Sequence, residues 1–203
     1  MTIVPRSGSL AQVEKAARGC RNCPLWKNAT QTVFGEGKAG ARILIIGEQP
    51  GDQEDRAGRP FVGPAGKLLD RALSEAGIAR EETYVTNAVK HFKWEPIGKR
   101  RIHKKPSPRE VAACRPWLEA EIRIVRPSIV ICLGATAAVA MLGSKVRVLR
   151  DRGRVLSSTL AENVLVTVHP SFLLRIIDRD AAKKEYALFV RDLRAAASSK
   201  TSP

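Results

Sequence analysis

Long apolar runs are missing from this sequence. No stretch approaches the roughly 20 consecutive apolar residues that a membrane-spanning helix requires, so we expect no membrane partner. The N-terminal residues Met1 to Ser9 also lack the apolar core of a secretion signal. We therefore expect the protein to work in the cytoplasm.

Acidic residues are few beside basic ones: 20 Asp and Glu face 35 Lys and Arg, which leaves a formal net charge of +15. This excess favours a polyanionic partner, with nucleic acid as the first candidate. Ribosomal or membrane-surface attraction would need the same charge, so charge alone selects no function. Apolar and charged fractions of 44% and 27% are typical of a folded protein. At 203 residues we expect a monomer with one domain over 1–203, its core at about 10–197.

Cysteine is scarce as well, and disulfides are rare in a reducing compartment. Cys20 and Cys23 have the short spacing of a metal or cluster site. Cys114 and Cys132 are separated by seventeen residues, so only the fold could bring them together. Cysteine ligands suit zinc and iron–sulfur clusters alike, which leaves the metal open. The alternative is that Cys132 is a buried strand residue.

One of only three histidines, His103, stands inside a strongly basic run. The cations around it are Lys99, Arg100, Arg101, Lys104 and Lys105. Cationic neighbours disfavour a further positive charge, so we expect a lowered pKa for His103 and a neutral, nucleophilic imidazole. The same cations suit a phosphate backbone. The alternative is a solvated basic loop with an incidental histidine.

Short apolar runs alternate with amphipathic segments along the chain. The runs predict buried parallel strands at 42–47, 84–89, 128–133 and 164–168. Helices are predicted from Pro64 to Gly77, from Ser107 with a kink or restart at Pro116, over 134–142 and over 181–197. We expect a polar loop over 90–105, a hairpin within 146–156 and fraying over 198–203. The pattern predicts an α/β fold, a single domain with a central four-stranded parallel sheet flanked by helices.

Polar clusters follow all four predicted strands. They are 47–51, 86–87, 134–136 and 169–171. Because ligands of open parallel sheets bind at the carboxyl ends of strands, we expect a site where these clusters meet. The glycine-rich loop after the first strand matches neither common nucleotide-binding pattern. Its carboxylates, among them Glu48 and Asp52, would also repel a pyrophosphate, so we exclude a nucleotide site.

Taken in order, five motifs resemble those of the iron–sulfur uracil-DNA glycosylases, often called family 4. They are Cys-x-x-Cys-Pro-Leu, Gly-Glu-Gln-Pro-Gly, Arg-Pro-Phe-Val-Gly-Pro-Ala-Gly, Tyr-Val-Thr-Asn-Ala-Val-Lys and His-Pro-Ser. The resemblance as a whole covers about 20–193. The resemblance implies a uracil-DNA glycosylase-like fold. It also implies a [4Fe–4S] cluster, with Cys20, Cys23, Cys114 and Cys132 as its ligands.

Two departures from ordinary family members point to a subgroup. Gln49 stands where those members have alanine, and they lack the basic insertion that ends in Arg100-Arg101-Ile102-His103. Both features are similar to the UdgX subgroup, which excises uracil and then stays covalently attached to the DNA through that histidine. The implied partner is uracil-containing DNA, single-stranded or duplex, with a covalent adduct at the abasic site.

The resemblance also implies roles for individual residues. The catalytic residues would be Glu48, which stabilises the sugar cation, His103, which attacks C1′, and His169, which donates a hydrogen bond to uracil O2. The uracil pocket would be formed by Gly47, Glu48, Gln49, Phe61, Asn87 and His169. The DNA-binding residues would be Lys99, Arg100, Arg101, Lys104, Ser171 and Leu173. Leu173 and Leu174 are candidates for a wedge between bases, although we expect core packing for at least one of them.

Three hypotheses follow from this reasoning. The first is a glycosylase that captures DNA covalently, and the second is a turning-over glycosylase in which His103 only contacts phosphate. The third is a non-catalytic iron–sulfur protein that binds nucleic acid, which the combination of Glu48, Asn87 and His169 argues against. We assign no catalytic role to His91.

Overall fold

A five-stranded sheet forms the centre of this computed structural model, which describes residues 2–198. The strands in chain order are β1 (Ile43–Gly47), β2 (Thr83–Asn87), β3 (Trp94–Ile97), β4 (Arg100–His103), β5 (Ile129–Leu133), β6 (Val155–Leu156) and β7 (Val164–Thr167). The central sheet has the order β2-β1-β5-β7-β6, and its first four strands run parallel. The predicted parallel α/β sheet is confirmed, with β6 added as an antiparallel edge strand.

Helices cover the sheet and connect its strands. In chain order they are α1 (Leu10–Ala17), α2 (Asp52–Ala57), α3 (Pro64–Glu75), α4 (Pro108–Val125), α5 (Gly134–Leu142), α6 (Val148–Asp151), α7 (Pro170–Leu173) and α8 (Arg179–Ser198). No helix in the described part of the chain is long and apolar enough to cross a membrane. The fraying predicted for 198–203 falls, apart from the last residue of α8, outside the described residues.

Burial on both faces explains the unbroken apolar run of β1. Successive side chains of a strand point to opposite faces of the sheet. Ile43 and Ile45 share a core with Leu73 of α3, whereas Leu44 shares a second core with Leu118 of α4. A parallel strand covered on both sides has no polar face, so its sequence shows no alternation.

The α4 helix begins where the sequence predicts. The Ser107 hydroxyl accepts a hydrogen bond from the Glu110 backbone N–H, and the Glu110 carboxylate accepts one from the Ser107 N–H. The helix does not restart at Pro116 but continues to Val125. Buried neighbours such as Trp117 hold its second half against the core, which offsets the one hydrogen bond that proline cannot donate.

Two connections differ from their predictions. The polar loop expected over 90–105 contains an antiparallel hairpin of β3 and β4, in which Trp94 pairs with His103 and Gly98 supplies the positive φ of the turn. The hairpin expected within 146–156 is wrong, because that segment forms α6 and then β6, which pairs with β7. β6 pairs with a strand outside its segment, and β3 and β4 have no apolar face of their own, so the local sequence revealed neither pairing.

Candidate active site at the carboxyl ends of the strands

A cavity of about 640 Å³ opens at the carboxyl ends of the central strands. Its wall includes Glu48 after β1, Asn87 at the end of β2, Gly134 after β5 and His169 after β7. The structure therefore brings the predicted polar clusters to one rim. His103 reaches the same cavity from the hairpin.

Close packing at Gly47 forms one wall of the cavity. A Cβ at this position would collide with Oδ1 of Asn87 and with the Phe61 ring, so only glycine fits between them. Phe61 itself has a left-handed backbone, with φ of 57°, which is uncommon outside glycine. Gly66 in α3 permits this turn, because a Cβ there would overlap the Phe61 carbonyl. The Phe61 ring is fixed by these backbone contacts.

Asn87 presents its amide to the cavity. Its backbone carbonyl accepts a hydrogen bond from Lys90 Nζ at 2.7 Å. Among residues 2–198 its side-chain amide has no hydrogen-bond partner, although the residue is only 3% exposed. An amide offers both a donor and an acceptor, so Asn87 is able to read the polar edge of a bound base.

His169 is held in one tautomer by the start of α7. Its Nδ1 accepts a hydrogen bond from the Ser171 backbone N–H at 3.1 Å and lies 2.8 Å from the Ser171 hydroxyl. Burial, with smaller effects of His103 and Arg175, lowers the pKa of His169 to about 4. The ring is therefore neutral with its proton on Nε2, where it serves as a hydrogen-bond donor. Ser171 thus orients His169, and its DNA contact stays a prediction.

Glu48 connects two elements across the cavity. One carboxylate oxygen, Oε2, accepts a short hydrogen bond from the Thr136 hydroxyl of α5. The other, Oε1, lies 3.3 Å from His103 Nε2. Thr136 belongs to a predicted polar cluster, but its role in orienting Glu48 was missed, since a hydroxyl near a helix start is common for structural reasons.

His103 has the lowered pKa expected from the sequence, but the cause is different. Burial at the cavity lowers this pKa, Glu48 opposes the shift, and Arg175 adds to it. The flanking cations of the hairpin are not responsible. Arg175, missed from the sequence, also lines the cavity and lies in the loop that follows His169 and α7. A cation six positions after His169 was its available signal.

Gln49 fastens the hairpin to the sheet. Its Nε2 donates to the backbone carbonyls of Lys93 at 3.2 Å and Lys104 at 3.0 Å. Its Oε1 accepts from the Lys93 N–H at 3.1 Å. Lys93 and Lys104 flank the hairpin, so the Gln49 side chain joins the two ends of the hairpin by hydrogen bonds. The residue borders the predicted uracil pocket, but its amide is committed to the hairpin.

Arg101 is a second anchor of the hairpin, and its ion pairs occupy the guanidinium whose contact with DNA stays a prediction. Its guanidinium pairs with Asp52 and, at 2.6 Å, with the fully buried Asp55. Only 13% of its side chain is exposed, because it also lies over the Trp94 ring. Alternation along β4 places Arg101 and His103 on the same face, so the anchor also sets the position of His103.

The other basic residues of the hairpin remain available. Lys99 and Arg100 are exposed at its turn. Lys104 is exposed and pairs with Glu95 at 2.8 Å. An exposed ion pair of this kind is weak, so it does not commit Lys104 to the protein. Their contact with DNA stays a prediction.

Leu173 does not face DNA, which corrects its assignment. It is 6% exposed and packs in the core beneath the sheet with Leu69. Leu174 is 50% exposed, so core packing of at least one member of the pair is confirmed. Phe172, 38% exposed, lines the cavity mouth. The single turn of α7 rotates Leu173 inward and leaves Phe172 and Leu174 as the apolar side chains near the opening.

The four cysteines do not meet at one place. Cys20, Cys23 and Cys114 belong to one small core, where Trp117 Nε1 donates to Cys20 Sγ at 3.2 Å. Cys132 is fully buried in β5 and belongs to the core beneath α4 and α5. Within residues 2–198 no group of three or more His, Cys, Asp or Glu side chains is arranged to hold a single metal ion. The ligands of an iron–sulfur cluster bind different iron atoms and are therefore spread more widely. The predicted set of four cysteine ligands does not fit this arrangement.

A buried ion pair ties the cysteine core to the cavity. Lys90 Nζ lies 2.6 Å from Glu121 Oε2 of α4 and also donates to Thr86 Oγ1 and to the Asn87 carbonyl. Both charged side chains are 1% exposed or less. The Lys90 backbone N–H donates to Cys114 Sγ at 3.2 Å. One residue thus contacts both the end of β2 and the cysteine core.

Comparison with known proteins agrees with this geometry. A family profile described as the uracil DNA glycosylase superfamily matches residues 34–194. The type-4 uracil-DNA glycosylase of Thermotoga maritima is 43% identical over 164 residues, which cover 80% of this chain and 82% of that protein. The type-4 enzyme of Pyrobaculum aerophilum is 37% identical over 173 residues, covering 82% and 85%. The type-4 enzyme of Saccharolobus solfataricus is 34% identical over 194 residues, covering 89% and 87%. The chain belongs to the uracil DNA glycosylase superfamily and, within it, to the type-4 family.

Proposed function

We propose that this protein excises uracil from DNA and then becomes covalently attached to the resulting abasic site through His103. The observation that carries the proposal is the 3.3 Å contact between His103 Nε2 and Glu48 Oε1, inside the cavity that also holds Asn87 and His169. The type-4 relatives are named as uracil-DNA glycosylases, which supports the excision step.

Recognition begins when the target base leaves the stack, at a cost of a few kcal/mol. The base enters beside Gly47, where the absence of a side chain allows Asn87 and Phe61 to lie close together. Phe61, whose ring centroid lies 6.2 Å from that of His169, offers the stacking surface. Asn87 supplies a donor and an acceptor to the polar edge of uracil. Backbone groups around Gln49 complete the pocket.

Cleavage of the bond between C1′ and N1 sends its electron pair to uracil and leaves positive charge on the sugar. The Nε2–H of His169 donates to uracil O2 as negative charge develops there. Glu48 holds its carboxylate toward the sugar cation, oriented by Thr136. The leaving uracil anion then takes up a proton from solvent.

Capture uses the neutral form of His103. In the reacting form the ring proton is on Nδ1, because Nε2 faces Glu48 and must keep its lone pair for C1′. The lone pair of Nε2 is then free to bond C1′. The alkylated ring carries a positive charge until Nδ1 loses its proton. The resulting neutral imidazole is a poor leaving group, so the adduct persists.

Three thiolates, from Cys20, Cys23 and Cys114, are proposed to bind an iron–sulfur cluster. All three cysteines belong to the small core that joins the segment after α1 to α4. A cluster bound there would link these two parts of the chain. Family likeness to the type-4 enzymes supports a cluster, and no step of the reaction passes through it. The +15 charge of the chain favours the encounter with DNA, together with the exposed cations at the hairpin turn.

A second candidate function is ordinary turnover, in which water attacks C1′ and His103 contacts phosphate. The half-exposed side chain of His103 favours this alternative. Denaturing electrophoresis with a uracil-containing oligonucleotide distinguishes the two. The parent protein should give a heat-stable, slowly migrating protein–DNA band with one uracil released per chain.

The decisive variant is His103→Ser, with Arg100→Ser on the exposed side of the same hairpin as its control. We expect His103→Ser to release uracil repeatedly and to leave free abasic DNA, because water occupies the space of the imidazole. Arg100→Ser should still form the adduct. An adduct formed by His103→Ser as readily as by the parent would reject His103 as the nucleophile.

A further inference from the structure

We propose that His91, and not Cys132, is the fourth protein ligand of an iron–sulfur cluster held by Cys20, Cys23 and Cys114. The assignment rests on the cluster included in the proposed function. It begins from the disagreement between the four-cysteine expectation and the structure, which separates one cysteine from the other three.

Cys132 is fixed by the central sheet. It pairs with Ile46 of β1 on one side and with Val166 of β7 on the other, and it has no exposed surface. Cys114, in contrast, lies within electrostatic range of Cys20 and Cys23. Moving Cys132 to the other cysteines would require the central strand to leave its ladder. A buried strand cysteine is the interpretation that fits these contacts.

The backbone that leads to His91 lies next to the cysteine core. The residue before it, Lys90, donates its N–H to Cys114 Sγ at 3.2 Å. Val89, one position earlier, belongs to the same small core as Cys20 and Cys114. His91 is only 4% exposed, so its ring is enclosed by protein. Its place in the chain therefore sets a buried imidazole directly after the backbone that contacts Cys114.

A second chain of contacts links the ring to Cys20. His91 Nε2 lies 3.0 Å from Thr32 Oγ1, and that hydroxyl donates to the Ala17 carbonyl at 3.0 Å. The same carbonyl accepts from the Cys20 N–H at 2.9 Å. Two hydrogen bonds thus separate the imidazole from the carbonyl that positions Cys20.

These contacts also determine the tautomer of His91. Because the only hydrogen of the Thr32 hydroxyl goes to Ala17, Oγ1 accepts from His91, and the ring proton is on Nε2. Nδ1 then carries a lone pair, and it has no hydrogen-bond partner among residues 2–198. Histidines that bind metals commonly donate their other N–H to a fixed acceptor in this way. The ring is therefore held in a form that is ready to bind iron.

A histidine ligand has a consequence for the electronic properties of the cluster. Imidazole brings no negative charge, unlike a cysteine thiolate, and replacement of thiolates by histidine raises the reduction potential of iron–sulfur centres. We expect the His91→Cys variant to keep its cluster and to have a lower reduction potential than the parent.

The experiment compares iron and acid-labile sulfide per chain in the parent and in matched alanine variants. Cys132→Ala should keep the iron content of the parent, whereas Cys114→Ala and His91→Ala should lose most of it. Loss of iron in Cys132→Ala with retention in His91→Ala would overturn the assignment. A parent that contains no iron, or zinc alone, would instead reject the cluster of the proposed function.

Pulsed electron paramagnetic resonance of the reduced cluster keeps the test valid if His91→Ala does not fold. The parent should show hyperfine coupling to a directly bound nitrogen, and His91→Cys should show none while retaining iron. The same nitrogen coupling in both proteins, or its absence from the iron-loaded parent, would show that His91 is not a ligand.

Discussion

The strands β1 and β4 both carry residues of the candidate active site, but they are held in different ways. All residues of β1 are buried, and its position follows from apolar packing on both faces of the sheet. β4 is mostly exposed and polar, and it depends on a few polar anchors such as Gln49 and Arg101. The comparison suggests that uracil excision belongs to the rigid sheet rim. The proposed covalent capture would belong to an element fastened onto that rim.

The largest effect on stability is expected from a substitution beside the central sheet. Lys90→Met leaves Glu121 buried without its partner, which should cost about 3–5 kcal/mol of unfolding free energy. Lys183→Met is the control, because its side chain is 80% exposed and its change should stay within about 0.5 kcal/mol. Urea unfolding measures both. Equal stability of the two variants would contradict a structural role for the buried pair.

Glu48 contacts both regions, so its substitution should impair both steps. Glu48→Gln removes the charge that faces the sugar cation, and we expect excision to slow by about 10²–10³-fold. Non-covalent binding of DNA should persist, because phosphate contacts do not need this carboxylate. Single-turnover uracil release measures the loss, with Glu162→Gln, an exposed position, as control. An unchanged rate in Glu48→Gln would remove Glu48 from the reaction.

Acidic pH should lower the free energy of unfolding through His169, which lies at the rim of the sheet. Its pKa is lowered from the ordinary 6.5 to about 4, so in the unfolded chain this histidine takes up a proton at higher pH than in the folded protein. Its contribution to stability is complete above about pH 6.5 and falls toward pH 4, by up to about 3 kcal/mol. Unfolding measured across this range should show a smaller decline in His169→Gln. The same decline in both proteins would place the pH dependence elsewhere.

The smallest expected effect falls on the hairpin alone. Gln49→Ala removes three hydrogen bonds, each worth about 0.5–1.5 kcal/mol, so the hairpin should loosen without loss of the fold. Adduct formation should slow by roughly tenfold while uracil release changes less. Gln53→Ala, exposed in α2, is the control. An equal loss of both steps in Gln49→Ala would mean that the hairpin is not a separate element.

The sheet and its rim could be predicted from the sequence. Apolar runs marked the parallel strands. Because the carboxyl ends of such strands share one edge of the sheet, the sequence predicted that Glu48, Asn87 and His169 lie together. Motif resemblance added Phe61. These inferences work because each depends on local pattern combined with a general rule of topology.

The hairpin and the ligand set could not be predicted in the same way. β3 and β4 have no apolar face of their own, and the carbonyls that Gln49 binds are invisible in a sequence. Arg101 was expected to contact DNA because its partners, Asp52 and the buried Asp55, lie far from it in the chain. For Cys132 the resemblance implied a ligand and the apolar strand around it indicated a buried residue, and the sequence alone could not decide between the two.

Mapping the attachment site tests the central claim most directly. The parent protein is allowed to react with a uracil-containing oligonucleotide, the adduct is digested with nuclease and protease, and the modified peptide is sequenced by mass spectrometry. The account predicts a deoxyribose remnant without uracil on the His103 imidazole, in a peptide derived from β4. A remnant on any other residue, or uracil release with no modified peptide, would contradict it.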